Sequence, residues 1–228
     1  MPAAQAELFE AVKAGRLEEV ESLLEKNPAL LAARVTGGPS AILLAVYYRH
    51  PEVAEAFVRR GAALDIFDAS ALGRTDRMRE LLREDPKLVD AWSDDGFFPL
   101  GLAAFFGRPD AVRLLLDSGA DVRAVARNPM RVEALHSAAA GHDASIVLAL
   151  LEAGADPNAR QQVGFTALHE AASEGLDEMA RLLVAHGARV DLSTEDGKTA
   201  VDLARGKGHG KLADWLEARR GARIEGEA

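Results

Sequence analysis

The chain alternates between short stretches with apolar residues at helical spacing and single residues, mostly glycine, that interrupt them. The segment 166–187 is the clearest example. It starts with Thr166, a residue type that caps helices, and its first apolar stretch ends at Gly175. Residues 176–186 repeat the helical spacing up to Gly187, where a left-handed backbone is cheapest for glycine. The pattern predicts a helix, a tight turn, an antiparallel helix and a loop.

The same pattern recurs along the chain with a nearly constant period. Its most regular marker is the residue between the two predicted helices, and the seven markers are Gly15, Arg49, Gly73, Gly107, His142, Gly175 and Gly208. Successive markers are 34, 24, 34, 35, 33 and 33 residues apart. One helix pair cannot bury its apolar face alone, so we expect stacked pairs in which each contacts only its neighbours.

Four segments resemble the ankyrin repeat family, whose signature is Thr-Pro-Leu-His-x-Ala. They are residues 165–169, 135–139, 98–104 and 198–204. No unit matches completely, since Ala replaces Pro in three of them and Phe98 replaces Thr in the fourth. The resemblance implies an all-α ankyrin repeat solenoid of about seven helix-turn-helix units joined by short β-hairpin fingers.

The resemblance extends over residues 5–218, and we expect a single domain at residues 1–218 followed by a frayed tail at residues 219–228. The expected units are 5–34, 35–64, 65–92, 93–126, 127–160, 161–193 and 194–218. The spacing from Arg49 to Gly73 is ten residues shorter than the one before it, because residues 64–69 run directly into the next helix. The third unit is therefore expected to lack its finger.

Composition agrees with a thin solenoid core and excludes several classes of protein. Aromatic residues make up only 5% of the chain, with two Trp, two Tyr and eight Phe, so Leu, Ala and Val must fill the core. The formal net charge is −9, which argues against nucleic acid or an anionic membrane as a partner. No cysteine is present, which excludes a disulfide framework, a thiolate nucleophile and a Cys-based metal site.

The sequence also carries weaker signals about where the protein occurs. Its N-terminal residues have no basic start followed by an apolar stretch, and no run of about 18 apolar residues occurs, so we expect a cytoplasmic protein. The chain has 21 Arg against 6 Lys, and few Asn, Gln and Met residues. This composition favours a stand-alone solenoid from a GC-rich, heat-tolerant bacterium.

The residues that usually carry catalysis do not form a recognisable site. His136 and His169 fill the Leu-His position of the signature, where the resemblance implies hydrogen bonds between adjacent units. His169 is not followed by a second His four residues later, because Ser173 stands there, so the HExxH zinc motif is absent. The paired carboxylates fall in predicted finger tips, which are too solvated for acid–base catalysis. We expect no enzyme activity, no metal and no cofactor.

The candidate binding site lies on the concave face, which the resemblance implies is lined by the fingers and the first helix of each unit. Half of the twelve aromatic residues fall in three pairs, Tyr47-Tyr48, Phe97-Phe98 and Phe105-Phe106. The candidate partner-binding residues are Tyr47, Tyr48, Leu72, Asp94, Asp95, Phe97, Phe105, Phe106, Met130, Val163 and Phe165. Exposed apolar patches of this kind usually mark binding sites.

Structural interpretations of the same residues stay open. Phe98 replaces a buried Thr, so we expect it in the core. Tyr47 and Phe105 can pack sideways against the next unit instead of facing a partner. The gap beside the missing finger can be filled by Tyr48, Leu72 and Phe106.

The expected function is therefore a non-catalytic interaction module, a monomer that binds a partner protein on its concave face. Asp94 and Asp95 would favour a partner with a basic rim. Two alternatives remain: a sensor or carrier that holds a small apolar ligand in the aromatic groove, and self-association through the same patch to give a homodimer.

Overall fold

The computed structural model describes residues 3–220 of the 228-residue chain. Within this range the chain forms fourteen α-helices in seven consecutive pairs and no β-strand, which confirms the predicted all-α fold. The helices are α1 (Ala3–Lys13), α2 (Leu17–Lys26), α3 (Ala41–Tyr47), α4 (Pro51–Arg59), α5 (Ile66–Leu72), α6 (Thr75–Glu84), α7 (Pro99–Phe105), α8 (Pro109–Asp117), α9 (Ala134–Ala140), α10 (Ala144–Glu152), α11 (Ala167–Ser173), α12 (Asp177–Ala185), α13 (Ala200–Gly206) and α14 (Gly210–Glu217). Short 3₁₀ helices cover Pro28–Ala32, Pro86–Asp90 and Gln162–Gly164. Odd-numbered helices are called first helices below, and even-numbered ones second helices.

Each pair turns back on itself at its marker residue, which has a left-handed backbone. Gly175 has a φ of 69°, and a Cβ at this position would lie 2.5 Å from the ring of His209 in the next unit. Glycine is therefore needed there for conformation and for space. Arg49 and His142 are the markers of their own units, with φ values of 60° and 59°, although neither is glycine.

The core is thin because the first helices carry small residues where they stack. Ala103 and Ala104 of α7 and Ala138 and Ala139 of α9 are all fully buried, and α7 packs against α9. Larger buried side chains come from both helices of the pairs, for example Leu43 and Leu100 of first helices and Phe57 and Leu115 of second helices. Most of the core therefore consists of Ala, Leu and Val, and few aromatic residues are needed to fill it.

Phe98 belongs to this core, as expected, with 2% of its surface exposed. It fits because Gly101, one turn further along, has no side chain. A Cβ at Gly101 would lie 3.0 Å from the Phe98 ring. The bulk that Phe98 adds in place of Thr is thus accommodated by the glycine beside it.

Two buried histidines bond to the loops that lead from their helix pairs to the next ones. The Nε2 of His169 donates to the Leu192 carbonyl at 3.1 Å, while its Nδ1 accepts the N–H of Thr166 at 3.1 Å. His136 makes the equivalent bond to the Ala159 carbonyl at 2.9 Å. Burial lowers the pKa of both imidazoles, which keeps them in the neutral form that can donate and accept at once.

The connection between α4 and α5 is residues 60–65, the shortest between pairs in the described part of the chain. Asp65 caps α5 by accepting the N–H of Asp68 at 2.8 Å, and it pairs with Arg34 at the end of the first unit. The Ser40 hydroxyl donates to the Asp68 carboxylate at 2.5 Å. Burial, together with the charge of Asp65, raises the pKa of Asp68. Polar side chains therefore tie α5 to the preceding unit at this short connection.

The C-terminal end of the described region is packed. The Arg219 guanidinium lies 4.0 Å from the centre of the Trp215 ring and donates to the Trp215 carbonyl at 3.0 Å. Arg219 thus stacks on the last helix, and the frayed tail at residues 219–228 stays a prediction. Residues 221–228 of that expected tail lie outside the described residues.

Replacing His169 with Ala removes the bond from α11 to the following loop and leaves the Thr166 N–H and the Leu192 carbonyl without this partner. We expect the free energy of unfolding to fall by about 2–3 kcal/mol at pH 7.5, measured by urea denaturation.

The effect of His169→Ala is expected to be smaller at pH 5. The folded pKa of His169 is lowered, so the unfolded chain takes up the proton first as the pH falls below about 6.5. The stability that neutral His169 contributes is therefore lost in the wild type between the unfolded and the folded pKa. Exposed His186→Ala is the control and should keep the wild-type pH dependence. The same pH dependence in wild type and His169→Ala would contradict this account.

Asp68→Asn is expected to stabilise the protein at pH 8. The Asn side chain still accepts the Ser40 hydroxyl but carries no charge to desolvate. Because the folded pKa of Asp68 is raised, wild-type stability falls as the pH rises through that pKa. We expect a gain of at least about 1 kcal/mol at pH 8 that disappears towards pH 4. Urea denaturation across this range measures it, and a loss at pH 8 would indicate that Arg34 stabilises the carboxylate more than burial destabilises it.

Candidate functional site

Four aromatic side chains of units two and four form one cluster. Tyr47 is the last residue of α3, Phe97 lies in the loop before α7, Phe105 ends α7 and Phe106 follows it. The rings of Tyr47 and Phe106 are stacked with their centres 6.0 Å apart, and Phe97 meets Tyr47 edge-on at 6.1 Å. Phe105 stands edge-on to Phe106 at 5.0 Å. We call these four residues the aromatic cluster.

The orientation of Tyr47 is fixed by Asp95. The Tyr47 hydroxyl donates to Asp95 Oδ2 at 2.8 Å, and Ser93 donates its hydroxyl to the other carboxylate oxygen. Burial, reinforced by the Asp95 carboxylate, raises the pKa of the Tyr47 phenol, so the phenol remains a donor. Both oxygens of Asp95 are therefore engaged within the protein, where they hold an aromatic ring in place.

The aromatic cluster borders a first hollow of about 590 Å³ on the inner face, the side formed by the first helices and the loops that precede them. This hollow lies at the C-terminal ends of α3, α7 and α9. It is lined by all of the aromatic cluster except Phe97, by Leu72, and by the residues Arg49, Arg108 and His142. We call it the basic hollow.

A second hollow, of about 490 Å³, lies on the other side of Phe105, towards the loops before α7 and α9. Its lining is mostly apolar and includes Phe97, Met130 and Val132. We call it the apolar hollow. Tyr47, Phe105 and Ala140 line both hollows, so the two are adjacent and Phe105 is part of the wall between them.

A third, smaller hollow of about 260 Å³ continues from the apolar one. It is lined by Val163 and Phe165, and it shares Met130, Gln161 and Glu170 with the apolar hollow. The three hollows therefore form one trough along the inner face, from unit two to unit six.

Glu170 gives the trough an acidic wall opposite its basic end. The carboxyl is half-buried, and this burial, with the nearby charge of Glu174, raises its pKa. His142 acts in the opposite direction on the same carboxyl. The trough is thus apolar along most of its length. Its basic residues lie in the basic hollow, and the acidic Glu170 lies where the other two hollows meet.

The structure brings eight of the eleven candidate residues together around the trough: Tyr47, Leu72, Phe97, Phe105, Phe106, Met130, Val163 and Phe165. Tyr48, Asp94 and Asp95 do not line any of the three hollows. Asp95 contributes indirectly, through its bond to the Tyr47 hydroxyl.

The orientations of the paired aromatic residues, which the sequence left open, differ within each pair. Phe105 is 40% exposed, and Phe106 is the half-buried ring because it stacks on Tyr47. Tyr48 is 49% exposed but follows the end of α3, so its ring does not share the position of Tyr47.

Sequence reasoning missed the basic side of the trough. Arg49 and His142 carried a usable signal, because they are the two markers that are not glycine. Arg108 carried no such signal. Its side chain reaches the site because its Nε donates to the Ala71 carbonyl of the preceding unit at 2.9 Å.

Two further features bear on the kinds of function that the residues support. Within residues 3–220, no group of three or more His, Cys, Asp or Glu side chains is placed to hold a metal ion. In the same range, no helix combines the length and the apolar character that crossing a membrane requires.

Comparison with known proteins gives a consistent family signal. A family model described as ankyrin repeats in three copies matches residues 66–161 and 135–226, which together exceed half of the chain. Cyclin-dependent kinase 4 inhibitor B of Rattus norvegicus is 36% identical over 138 residues, which are 59% of this chain and 99% of the inhibitor.

Two other relatives are similar over shorter stretches. Ankyrin repeat domain-containing protein 37 of Bos taurus is 39% identical over 107 residues, covering 47% of this chain and 67% of the relative. The probable E3 ubiquitin-protein ligase XBOS34 of Oryza sativa subsp. japonica is 34% identical over 119 residues, and the chain spans only 22% of its length. These relatives are eukaryotic, so they do not support the bacterial source expected from composition.

The two adjacent phenylalanines are expected to differ in their effect on stability. Phe106→Ala removes a half-buried ring stacked on Tyr47, and should lower the free energy of unfolding by about 2–3 kcal/mol. Phe105→Ala removes a ring that is 40% exposed, and should cost about 1 kcal/mol or less. Urea denaturation of both variants at pH 7.5 tests this difference, and equal losses would contradict the orientation described here.

Proposed function

The chain belongs to the ankyrin repeat family, and we propose that it is a non-catalytic protein–protein interaction module that binds a partner protein on its concave face. The inner face described above corresponds to the concave face of that family. One observation carries the proposal. Five large apolar side chains of the described residues are more than a third exposed, and three of them, Phe105, Met130 and Val163, line the trough.

An exposed apolar trough of this kind suits a protein partner energetically. Aromatic side chains at the centre of an interface are frequent hot spots, each contributing about 2 kcal/mol or more when truncated. Phe105 is held by its contact with Phe106, and Tyr47 by its bond to Asp95, before any partner arrives. Little conformational entropy is therefore lost on binding.

The relatives support a protein partner in general terms. The rat relative is named as an inhibitor of cyclin-dependent kinase 4, so its action is directed at another protein. For this chain we propose a protein partner, with neither nucleic acid nor membrane as the target, and a monomeric state. A cytoplasmic location stays a prediction of the sequence.

A small apolar ligand is the second candidate, since the apolar hollow of about 490 Å³ falls in the size range of small-molecule sites, about 300–1,000 Å³. Native mass spectrometry of freshly purified protein tests it. A bound mass that is present in the wild type and absent from Phe105→Ser would favour a sensor or carrier over a protein-binding module.

Self-association through the trough is tested by sedimentation equilibrium. If the protein is still a monomer at about 100 μM, the dissociation constant of any homodimer lies above that concentration. This result would exclude a homodimer.

The main test is affinity capture from a lysate of the source organism with matched variants. Phe105→Ser alters the trough, and Val125→Ser is the control, because Val125 is 37% exposed but does not line any of the three hollows. We expect the partner retained by wild type and Val125→Ser to fall at least tenfold with Phe105→Ser, which corresponds to about 1.4 kcal/mol. Equal retention by Phe105→Ser would place the interface elsewhere.

A further inference from the structure

The basic hollow contains two residues with an unusual backbone for their type. Five of the seven markers are glycine, whereas units two and five have Arg49 and His142, both left-handed with φ near 60°. An L-residue in this conformation costs roughly 1–2 kcal/mol relative to a right-handed one, and glycine avoids that cost. Both residues line the basic hollow. Residues with a strained backbone cluster at functional sites, where function is a reason for the strain to be retained.

A third side chain reaches the same hollow by a different route. Arg108 is held by its Nε, which donates to the Ala71 carbonyl at 2.9 Å, and its aliphatic stem passes close to Gly73. The guanidinium is thus positioned by the fold, and its outer nitrogens make no hydrogen bond or ion pair with another residue in the range 3–220. Arg49 likewise has no carboxylate within 4 Å in that range. Two arginines without carboxylate partners among the described residues therefore line one hollow of a chain whose net charge is −9.

We propose that the basic hollow binds an Asp or Glu side chain of the partner, while a neighbouring apolar side chain of the same segment enters the apolar hollow across Phe105. This inference rests on the proposed function and names the chemistry of its partner. Arginine donors match a carboxylate in geometry and charge. The two hollows share the Phe105 wall, and an extended chain rises about 3.3 Å per residue, so the two side chains should be about one to three residues apart.

A carboxylate suits the hollow better than a doubly charged phosphoryl group. The hollow lies at the C-terminal ends of three first helices, where the helix dipole disfavours negative charge. Asp143 also lies close to Gly107, one of the lining residues, and caps α10 with its carboxylate. A single negative charge is opposed less by these groups than a double one.

The test is a selection of random twelve-residue peptides displayed on phage against the purified full chain. We expect the selected peptides to be enriched in Asp or Glu within three positions of Leu, Ile, Phe or Met. For the best synthetic peptide, changing its acidic residue to the amide should weaken binding to wild type about five- to twentyfold, measured by fluorescence anisotropy. The same acid-to-amide change in the peptide should weaken its binding to the Arg49→Gly variant much less.

The variants are chosen so that folding does not limit the test. Arg49→Gly is expected to be at least as stable as wild type, because glycine suits a φ of 60°. Arg131→Gly is the matched control. It also removes one positive charge and one left-handed non-glycine residue, with a φ of 50°, but it does not line the hollows. It should keep the wild-type preference for acidic peptides. Arg108→Gln is the second test variant, with its free energy of unfolding measured alongside.

The outcomes separate this inference from the function on which it rests. Peptides that lose binding to Phe105→Ser but show no acidic preference would overturn the inference and leave the interaction module in place. An acidic preference that persists unchanged in both Arg49→Gly and Arg108→Gln would also overturn it. Failure to select any peptide, or selected peptides that ignore Phe105→Ser, would overturn peptide binding in the trough and the inference with it.

Discussion

The close contact between neighbouring first helices is the constraint on which the rest of the structure depends. At the end of α9, a Cβ at Gly141 would lie 2.6 Å from the Phe105 carbonyl oxygen, so even one carbon would separate α9 from α7. The buried alanines along these helices serve the same purpose. Large rings cannot enter this contact, and the four rings of the aromatic cluster lie at the ends of the first helices and in the loops beside them.

The location of the trough follows from this restriction. Tyr47 and Phe105 end their helices, Phe106 follows one, and Phe97 precedes one. At these positions a ring can bend away from the stack and meet a ring of another unit, as Phe106 meets Tyr47. The features that make the core thin therefore also leave aromatic surface on the inner face.

Buried polar groups in the stack are satisfied in different ways at the same helical position. His169 and Asp68 both stand three residues after their helix cap. The histidine bonds forward to Leu192, in the loop that leads to the next helix pair, whereas the aspartate is bonded back to Ser40 of the preceding unit. The longer loop after α12 provides the Leu192 carbonyl that accepts from His169. In the unit with the short connection before α5, the residue at the same helical position is the carboxylate Asp68.

The period, the helix pairs and the buried position of Phe98 follow from the sequence alone, because they depend on local spacing and on helix-ending residues. The sequence could not decide which ring of Phe105 and Phe106 faces solvent, since successive side chains at a helix end point in different directions. Arg108 was also missed, because its position depends on a carbonyl 37 residues away. Repetition specifies how units stack, whereas the chemistry of the trough depends on side chains from several units, which only the folded chain brings together.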